Sequence, residues 1–270
     1  MALIPITTPD DPRIAVYRSV RERDLIGRHG RFIAESARVV ARLFQSPLHT
    51  AESVLLSESQ ARAKPDLLAQ AAAAGVPVYV CAQSVMDAVA GFPVHRGVLA
   101  AGLRGADPTL GELCARTPLG RPIVALVGLS DADNVGAIAR HAACFGAGAL
   151  VLDAQCCDPL YRKAIRVSAG TVLSLPMARV GQGPEALLDG LEAAGYVPWA
   201  LTPQAAIPIR GAPVPDRLAL LLGAEGTGLP ADVLARCEGR AIPMAAGADS
   251  LNVATAAAIA LYEIAQGRAA

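Results

Sequence analysis

Five polar side chains stand at points where the chain is otherwise apolar. In Ser250-Leu-Asn-Val-Ala-Thr-Ala-Ala-Ala-Ile-Ala-Leu-Tyr-Glu263, Ser250 and Asn252 open an alanine-rich stretch that reads as a buried helix. One side-chain oxygen is enough to cap such a helix. The second residue is therefore expected to face a pocket. In LVGLSDADNVGAIARHAACFGA, residues 126–147, an apolar strand runs into Asp131, Asp133 and Asn134; Gly136 follows, and Arg140 lies on the helix beyond. Taken alone, Asn134 is an ordinary cap and Arg140 an ordinary surface charge. In LALLLGAEGTGL, residues 218–229, Gly223, Gly226 and Gly228 surround Glu225 directly after another apolar strand. Turn chemistry accounts for the glycines. It does not account for a carboxylate at the end of a core strand.

None of these spacings calls for a metal or a phosphate loop. The glycines match neither G-x-x-x-x-G-K-[ST] nor the G-x-G-x-x-G dinucleotide fingerprint. The histidines show no H-E-x-x-H spacing, and the cysteines form no C-x-x-C pair. Adjacent Cys156 and Cys157 are poorly placed for ligation or bridging, so no metal and no disulfide framework is expected.

Ligands of parallel α/β sheets bind beyond the carboxyl ends of strands. The elements around these residues fit that scheme. From residue 121 onward IVALVGL, a helix from Val135, ALVLD, a helix over Pro159–Ser168, YVPWAL, LALLLG, a short strand Ile242–Met244 and the Ser250 helix alternate. This order predicts a largely parallel sheet covered on both faces. Ahead of it, a helical stretch Ile14–Phe44, strands Val54–Ser57, Val76–Val80 and Gly97–Leu103, and a helix Leu67–Ala74 predict a small α/β domain. The expected division is 1–104, a Pro- and Gly-rich linker over 105–120 with one helical turn, and 121–270. At 270 residues, 53% hydrophobic and 18% charged, two well-buried domains are expected. A formal net charge of zero excludes a global pull on nucleic acid and leaves only local patches. No apolar run approaches the roughly 18 residues of a membrane span, and the first residues lack a signal-peptide pattern, so a cytoplasmic protein is expected.

DADNVGAIARHAACFGA, LLGAEGTGL and IPMAAGADSLNVATAAAIALYE, in that order, resemble the motifs of the SpoU (TrmH-like) branch of the SPOUT methyltransferases. RVSAGTVLSLP (166–176) is similar to the family's intervening segment. GRFIAES and HRGVLAA look like its substrate-binding domain of ribosomal-protein type. Ala132, Ala224 and Ser36 depart from the family's usual proline, asparagine and glycine. The resemblance implies a C-terminal α/β parallel-sheet domain with a trefoil knot, a homodimer with paired active sites, and no metal. It also implies methyl transfer from S-adenosylmethionine to a ribose 2′-hydroxyl of tRNA or rRNA. Carried over residue by residue, Asn134, Arg140, Glu225, Ser250 and Asn252 form the catalytic constellation, and Thr202, Gly223, Ile242, Met244 and Leu251 hold the cofactor.

A guanidinium, with a reference pKa above about 12, is a poor base. Arg140 is therefore expected to orient the ribose and its phosphate, paired with Glu225. For RNA, the front helix offers Arg18, Arg21, Arg23, Arg28 and Arg31 among an excess of arginines, suited to phosphates or to a solvated face. Two other readings stand beside this one. A catalytically inactive RNA-binding relative is opposed by the intact polar residues, and a Rossmann-type oxidoreductase by the missing fingerprint.

Overall fold

A computed structural model describes residues 2–18 and 22–269; the described side chains exclude those at 22–24, 28 and 269. The elements run β1 (Ile4–Ile6), a 3-10 turn (Pro12–Tyr17), α1 (Glu22–His29), β2 (Arg31–Glu35), α2 (Ala37–Phe44) and β3 (Thr50–Ser57). They continue with α3 (Glu58–Ala63), α4 (Pro65–Ala73), β4 (Val78–Cys81), α5 (Gln83–Ala90), β5 (Val98–Leu103) and α6 (Leu110–Arg116). Next come β6 (Ile123–Val127), α7 (Ala132–Cys144), β7 (Ala149–Asp153), α8 (Arg162–Val167), a 3-10 turn (Thr171–Ser174) and β8 (Met177–Val180). The last are α9 (Pro184–Ala193), β9 (Val197–Leu201), β10 (Leu218–Gly223), α10 (Ala231–Arg236), β11 (Glu238–Arg240) and α11 (Val253–Ala269). Two compact units result, residues 1–106 with 160–174, and residues 107–159 with 175–270.

The first unit holds a five-stranded mixed sheet in the order β1-β4-β3-β5-β2. Strands β1, β3 and β4 run parallel, while β5 is antiparallel to both β3 and β2. One face buries Ile6, Tyr17, Leu55, Met86, Val89 and Leu99. The buried Tyr17 hydroxyl lies 2.7 Å from Ser53 Oγ and accepts from the Ala101 amide, and burial pushes its pKa up.

The helical stretch expected over Ile14–Phe44 is broken by β2. Gly30, at φ 59°, ends α1, and the chain then alternates, burying Phe32 and Ala34 against β5. Phe32 faces Gly102 across the two strands, and a Cβ there would come within 2.4 Å of the ring. Arg31 therefore sits on a strand, where it forms a two-pronged ion pair with Glu52 at 2.6 and 2.7 Å. Arg21 lies outside the described residues, as do the side chains of Arg23 and Arg28. Residues 160–174, read in sequence as part of the rear domain, pack in the first unit. There Arg162 pairs with Glu35 at 2.9 Å and lies 3.9 Å over the Phe92 ring.

The second unit holds a six-stranded, wholly parallel sheet in the order β11-β9-β10-β6-β7-β8. Helices α6, α9 and α10 bury Leu113, Leu187, Leu191 and Val233 on one face. Helices α7 and α11 pack together against the strands as well. Two covered faces explain why the inner strands read as largely unbroken apolar runs. The expected linker contributes α6 to this core, started by a reciprocal cap between Thr109 and Glu112. The strand expected at Ile242–Met244 forms instead at Glu238–Arg240, paired with β9; Pro243 has no N–H to give to a ladder. No described helix is long and apolar enough to cross a membrane.

Ser36, where the resembling family has glycine, takes φ 87° and ψ 148° and accepts only a long 3.4 Å bond from Val39 N. That region of backbone space is nearly restricted to glycine and costs about 1–3 kcal/mol for other residues. Replacing a serine cap by glycine costs only a few tenths. Ser36→Gly should therefore raise stability by about 1 kcal/mol or more, read as a higher urea midpoint with an unchanged m-value. A lower midpoint would show that the hydroxyl outweighs the strain.

Candidate active site

Strand β10 ends at Gly223, where the chain doubles back on itself. A Cβ on Gly223 would lie 2.3 Å from the Gly228 carbonyl carbon and 2.4 Å from Leu229 N. Gly226 and Gly228 adopt φ 84° and 68°, and Gly228 N closes the loop onto the Ala224 carbonyl at 2.9 Å. The three glycines thus serve one purpose, a backbone loop tight enough to hold Glu225 at the strand end.

Helix α7 begins with Asp131 as its cap, the Asp131 carboxylate accepting from Asp133 N at 2.8 Å. Asn134 is thereby free of the capping role and is buried at 7% exposure. Its Nδ2 donates to Glu225 Oε1 at 2.7 Å. Asn252 Nδ2 donates to the same carboxylate oxygen and to Asn134 Oδ1, both at 2.9 Å. Meanwhile Asn252 Oδ1 accepts from Ala254 N and Thr255 N at 3.0 and 3.1 Å, capping α11. Asn252 therefore carries both roles that sequence divided between it and Ser250. Ser250 is exposed on the wall of the adjoining cavity.

That cavity, about 720 Å³, opens beyond the carboxyl ends of β9, β10 and β11. Thr202, Gly223, Ile242, Met244 and Leu251 all line it, together with Glu225, Ser250 and Asn252. Gln204 and Asp249 line it too. Sequence reasoning passed over both, although Asp249 adjoins Ser250 and Gln204 lies two residues from Thr202. Among the described residues no group of His, Cys, Asp and Glu side chains could hold a metal ion.

Arg140 is not brought to this cluster within one chain. Six residues along a helix carry a side chain about 9 Å further and about 240° around. Arg140 is accordingly exposed, whereas Asn134 points inward. Glu225, expected to hold the guanidinium, holds two amides instead. Next to Arg140, His141 Nδ1 lies 3.1 Å from the Ala254 carbonyl and must be its donor. Burial, and then the charge of Arg140, hold the His141 pKa below its usual value against that bond.

The shared amide makes a ranking of variants. Asn252→Ser keeps a capping oxygen and should cost under about 1 kcal/mol. Asn252→Asp also keeps the cap but sets a second carboxylate where a donor met Glu225, and should cost about 1–3 kcal/mol. Denaturant unfolding of the two variants gives the comparison; the reverse order would mean that the contact with Glu225 contributes nothing.

Comparisons with known proteins span nearly the whole chain. A sequence model of the SpoU rRNA methylase family matches residues 121–262, and one for RNA 2′-O ribose methyltransferase substrate binding matches residues 37–101. An uncharacterized tRNA/rRNA methyltransferase of Mycobacterium bovis is 39% identical over 267 residues, covering 96% of this chain and 90% of that one. The crystal structure of an RNA 2′-O ribose methyltransferase superposes with a TM-score of 0.81 at 29% identity, covering 99% of this chain and 100% of the other. In fold alone, the AdoMet-bound rRNA methyltransferase of Sinorhizobium meliloti is similar with a TM-score of 0.84, at 23% identity and 98% coverage of both chains. A parallel-sheet unit with its polar residues gathered at the strand ends, matched over 121–262 and preceded by a substrate-binding unit, identifies the chain as a member of the SpoU RNA methylase family.

Proposed function

We propose that this chain transfers the methyl group of S-adenosylmethionine to a ribose 2′-hydroxyl of tRNA or rRNA. The observation that carries the reading is the Glu225–Asn134–Asn252 cluster, fixed beside a cavity of about 720 Å³ at the strand ends. Ile242 and Leu251 offer apolar flanks for an adenine, and Gly223 lets the backbone approach it. Glu225 and Asp249 give the cavity a negative lining suited to a cationic cofactor. When bound, S-adenosylmethionine supplies an electrophilic methyl group on a sulfonium. The chain's own contribution is alignment of the hydroxyl and management of its proton and charge. Glu225 Oε1 is occupied by two amide donors, which leaves Oε2 to accept from a ribose hydroxyl. Arg140 stabilises the developing alkoxide and orients the neighbouring phosphate.

Because Arg140 projects away from the cluster in its own chain, we infer that it serves the site of a second copy. A homodimer through the outward face of α7 and α11 and a trefoil path in the C-terminal region belong to the same reading. That face carries Arg140, Ala143 and Tyr262, all exposed.

Incubation with labelled S-adenosylmethionine and total RNA, followed by digestion to nucleosides, should yield a ribose-methylated product. A base-methylated product, or tight binding of NAD, would overturn the assignment. Arg140→Ala should lower turnover about a hundred- to a thousandfold with cofactor affinity unchanged. Recovery by Arg140→Lys would reduce its role to simple charge, since lysine lacks the planar fork.

Co-expression of Arg140→Ala with Glu225→Ala chains separates the two geometries. If Arg140 acts across the dimer, one site of each mixed dimer is intact and roughly a quarter of wild-type activity returns. No recovery in verified mixed dimers would place Arg140 and Glu225 in the same chain's site.

A further inference from the structure

We propose that the first unit carries a nucleobase pocket, in which the ring of Phe92, backed by the Arg162 guanidinium, stacks one unpaired base of the RNA; the proposal rests on the RNA-methyltransferase reading. A cavity of about 180 Å³ opens in that unit, lined among others by Arg18, Leu25, Ile33, Phe92, Leu160 and Arg162. It falls below the roughly 300 Å³ at which pockets for drug-sized ligands begin, so it suits a single ring system. Phe92 is 37% exposed at its rim, an unusual place for a phenylalanine in a chain with only four.

The loop carrying Phe92 is held in place. Gly91, at φ 78°, ends α5; the Asp87 carboxylate then accepts from Val94 N and from Gln83 Nε2, both at 2.8 Å. At the far end a Cβ on Gly97 would meet Ser57 Oγ at 2.5 Å, so the loop is pressed against the start of α3. Arg162 is fixed as firmly, with its Nε and Nη2 on Glu35 Oε2 at 3.1 and 2.9 Å and its guanidinium 3.9 Å above the Phe92 ring. Arg18 donates to the Pro9 and Asp11 carbonyls, both at 3.3 Å.

Charge decides what kind of ligand fits. Glu35 neutralises Arg162, and Arg18 is turned to two backbone carbonyls, so the pocket is not built for an isolated phosphate. What it presents is an exposed aromatic ring backed by an oriented guanidinium plane, with an apolar floor. Unpaired bases of RNA loops are recognised on such surfaces, by stacking on aromatic rings and arginine planes. Exposed His95 and Arg96 on the same loop are available to the adjoining backbone. A base inside a duplex could not reach the pocket, so the preference is for loops, bulges and ends.

The test uses the full-length protein, a short single-stranded oligoadenylate labelled for anisotropy, and a blunt RNA duplex of equal length. Phe92→Leu, which keeps apolar cover but loses the ring face, should weaken single-strand binding about ten- to a hundredfold. Duplex binding, S-adenosylmethionine affinity and thermal midpoint should stay as in the wild type. Phe92→Trp should restore single-strand binding. Wild-type-like binding by Phe92→Leu, failure of Phe92→Trp to recover, or no binding of the oligonucleotide by the wild type would overturn the pocket. Methylation of total RNA, run in parallel, separates the two ideas. A wild type that methylates RNA, with a Phe92→Leu variant of unchanged KM, removes the pocket alone. A wild type that transfers no methyl group removes the underlying reading.

Discussion

The Asn252 carboxamide has one acceptor oxygen and two donor hydrogens, and its surroundings use the two ends differently. The oxygen takes two orphan N–H groups at the start of α11, and that choice turns the nitrogen toward Glu225 and Asn134. The orientation of the amide follows from this pattern, because a flipped Asn252 would set N–H against N–H at the helix end. Helix α11 is in turn anchored by Ala257, Ala260, Leu261 and Ile264, all nearly fully buried. Ser250 and Leu251 precede the cap and form part of the cavity wall. Core packing, helix cap and cavity wall are thus one mechanical unit. Loss of the capping oxygen disturbs all three together.

A second set of contacts fixes the neighbouring strand ends. Asp153, at the end of β7 and 1% exposed, accepts from Gly128 N just after β6 and from the amides of Gln155 and Cys156. Arg179 on β8 donates to the carbonyls of Asp153, Cys156 and Cys157. Burial, and then Asp153, push the Cys156 thiol up to about 12, and its Sγ donates to the Leu126 carbonyl. Cys156 is therefore a protonated, space-filling donor that ties the loop after β7 to the end of β6. Its role is structural.

The four inner strands of the second sheet, β9, β10, β6 and β7, were legible in sequence as apolar runs that break at turns, whereas the edge strands β8 (MARV) and β11 (EGR) carry polar residues and were not. The cluster residues were legible by motif, yet their partnerships were not. Spacing placed Asn134 and Arg140 on one helix, but six residues is a poor multiple of the 3.6-residue turn, and the two side chains diverge. Glu225 then takes neutral amides, a pairing that depends on Asn252 arriving from 27 positions away. In the first unit the long helical reading failed for a local reason. Leu25, Ile26, Val39, Val40 and Leu43 keep helical spacing on either side of five residues that alternate instead. Only the pairing of Phe32 with Gly102 shows why a strand forms there. The displaced segment 160–174 carries no composition signal at all; its place follows from Glu35 and Phe92, more than a hundred and about seventy residues earlier in the chain.

Zero net charge is compatible with an RNA substrate only if the arginines are unevenly employed. Several are committed internally: Arg13 to Asp11, Arg31 to Glu52, Arg162 to Glu35, Arg236 to Asp189 and Glu192, and Arg240 to Glu238. An arginine already paired with a carboxylate gains little by meeting a phosphate, because it must first give up a bond of similar strength. Counting basic residues in the front segment therefore overstates its attraction for a nucleic-acid backbone. Recognition must draw more on shape and on contacts with exposed bases, which do not depend on net charge. A paired arginine keeps its planar surface even when its charge is neutralised, and Arg162 lying over Phe92 is the plainest instance in this fold.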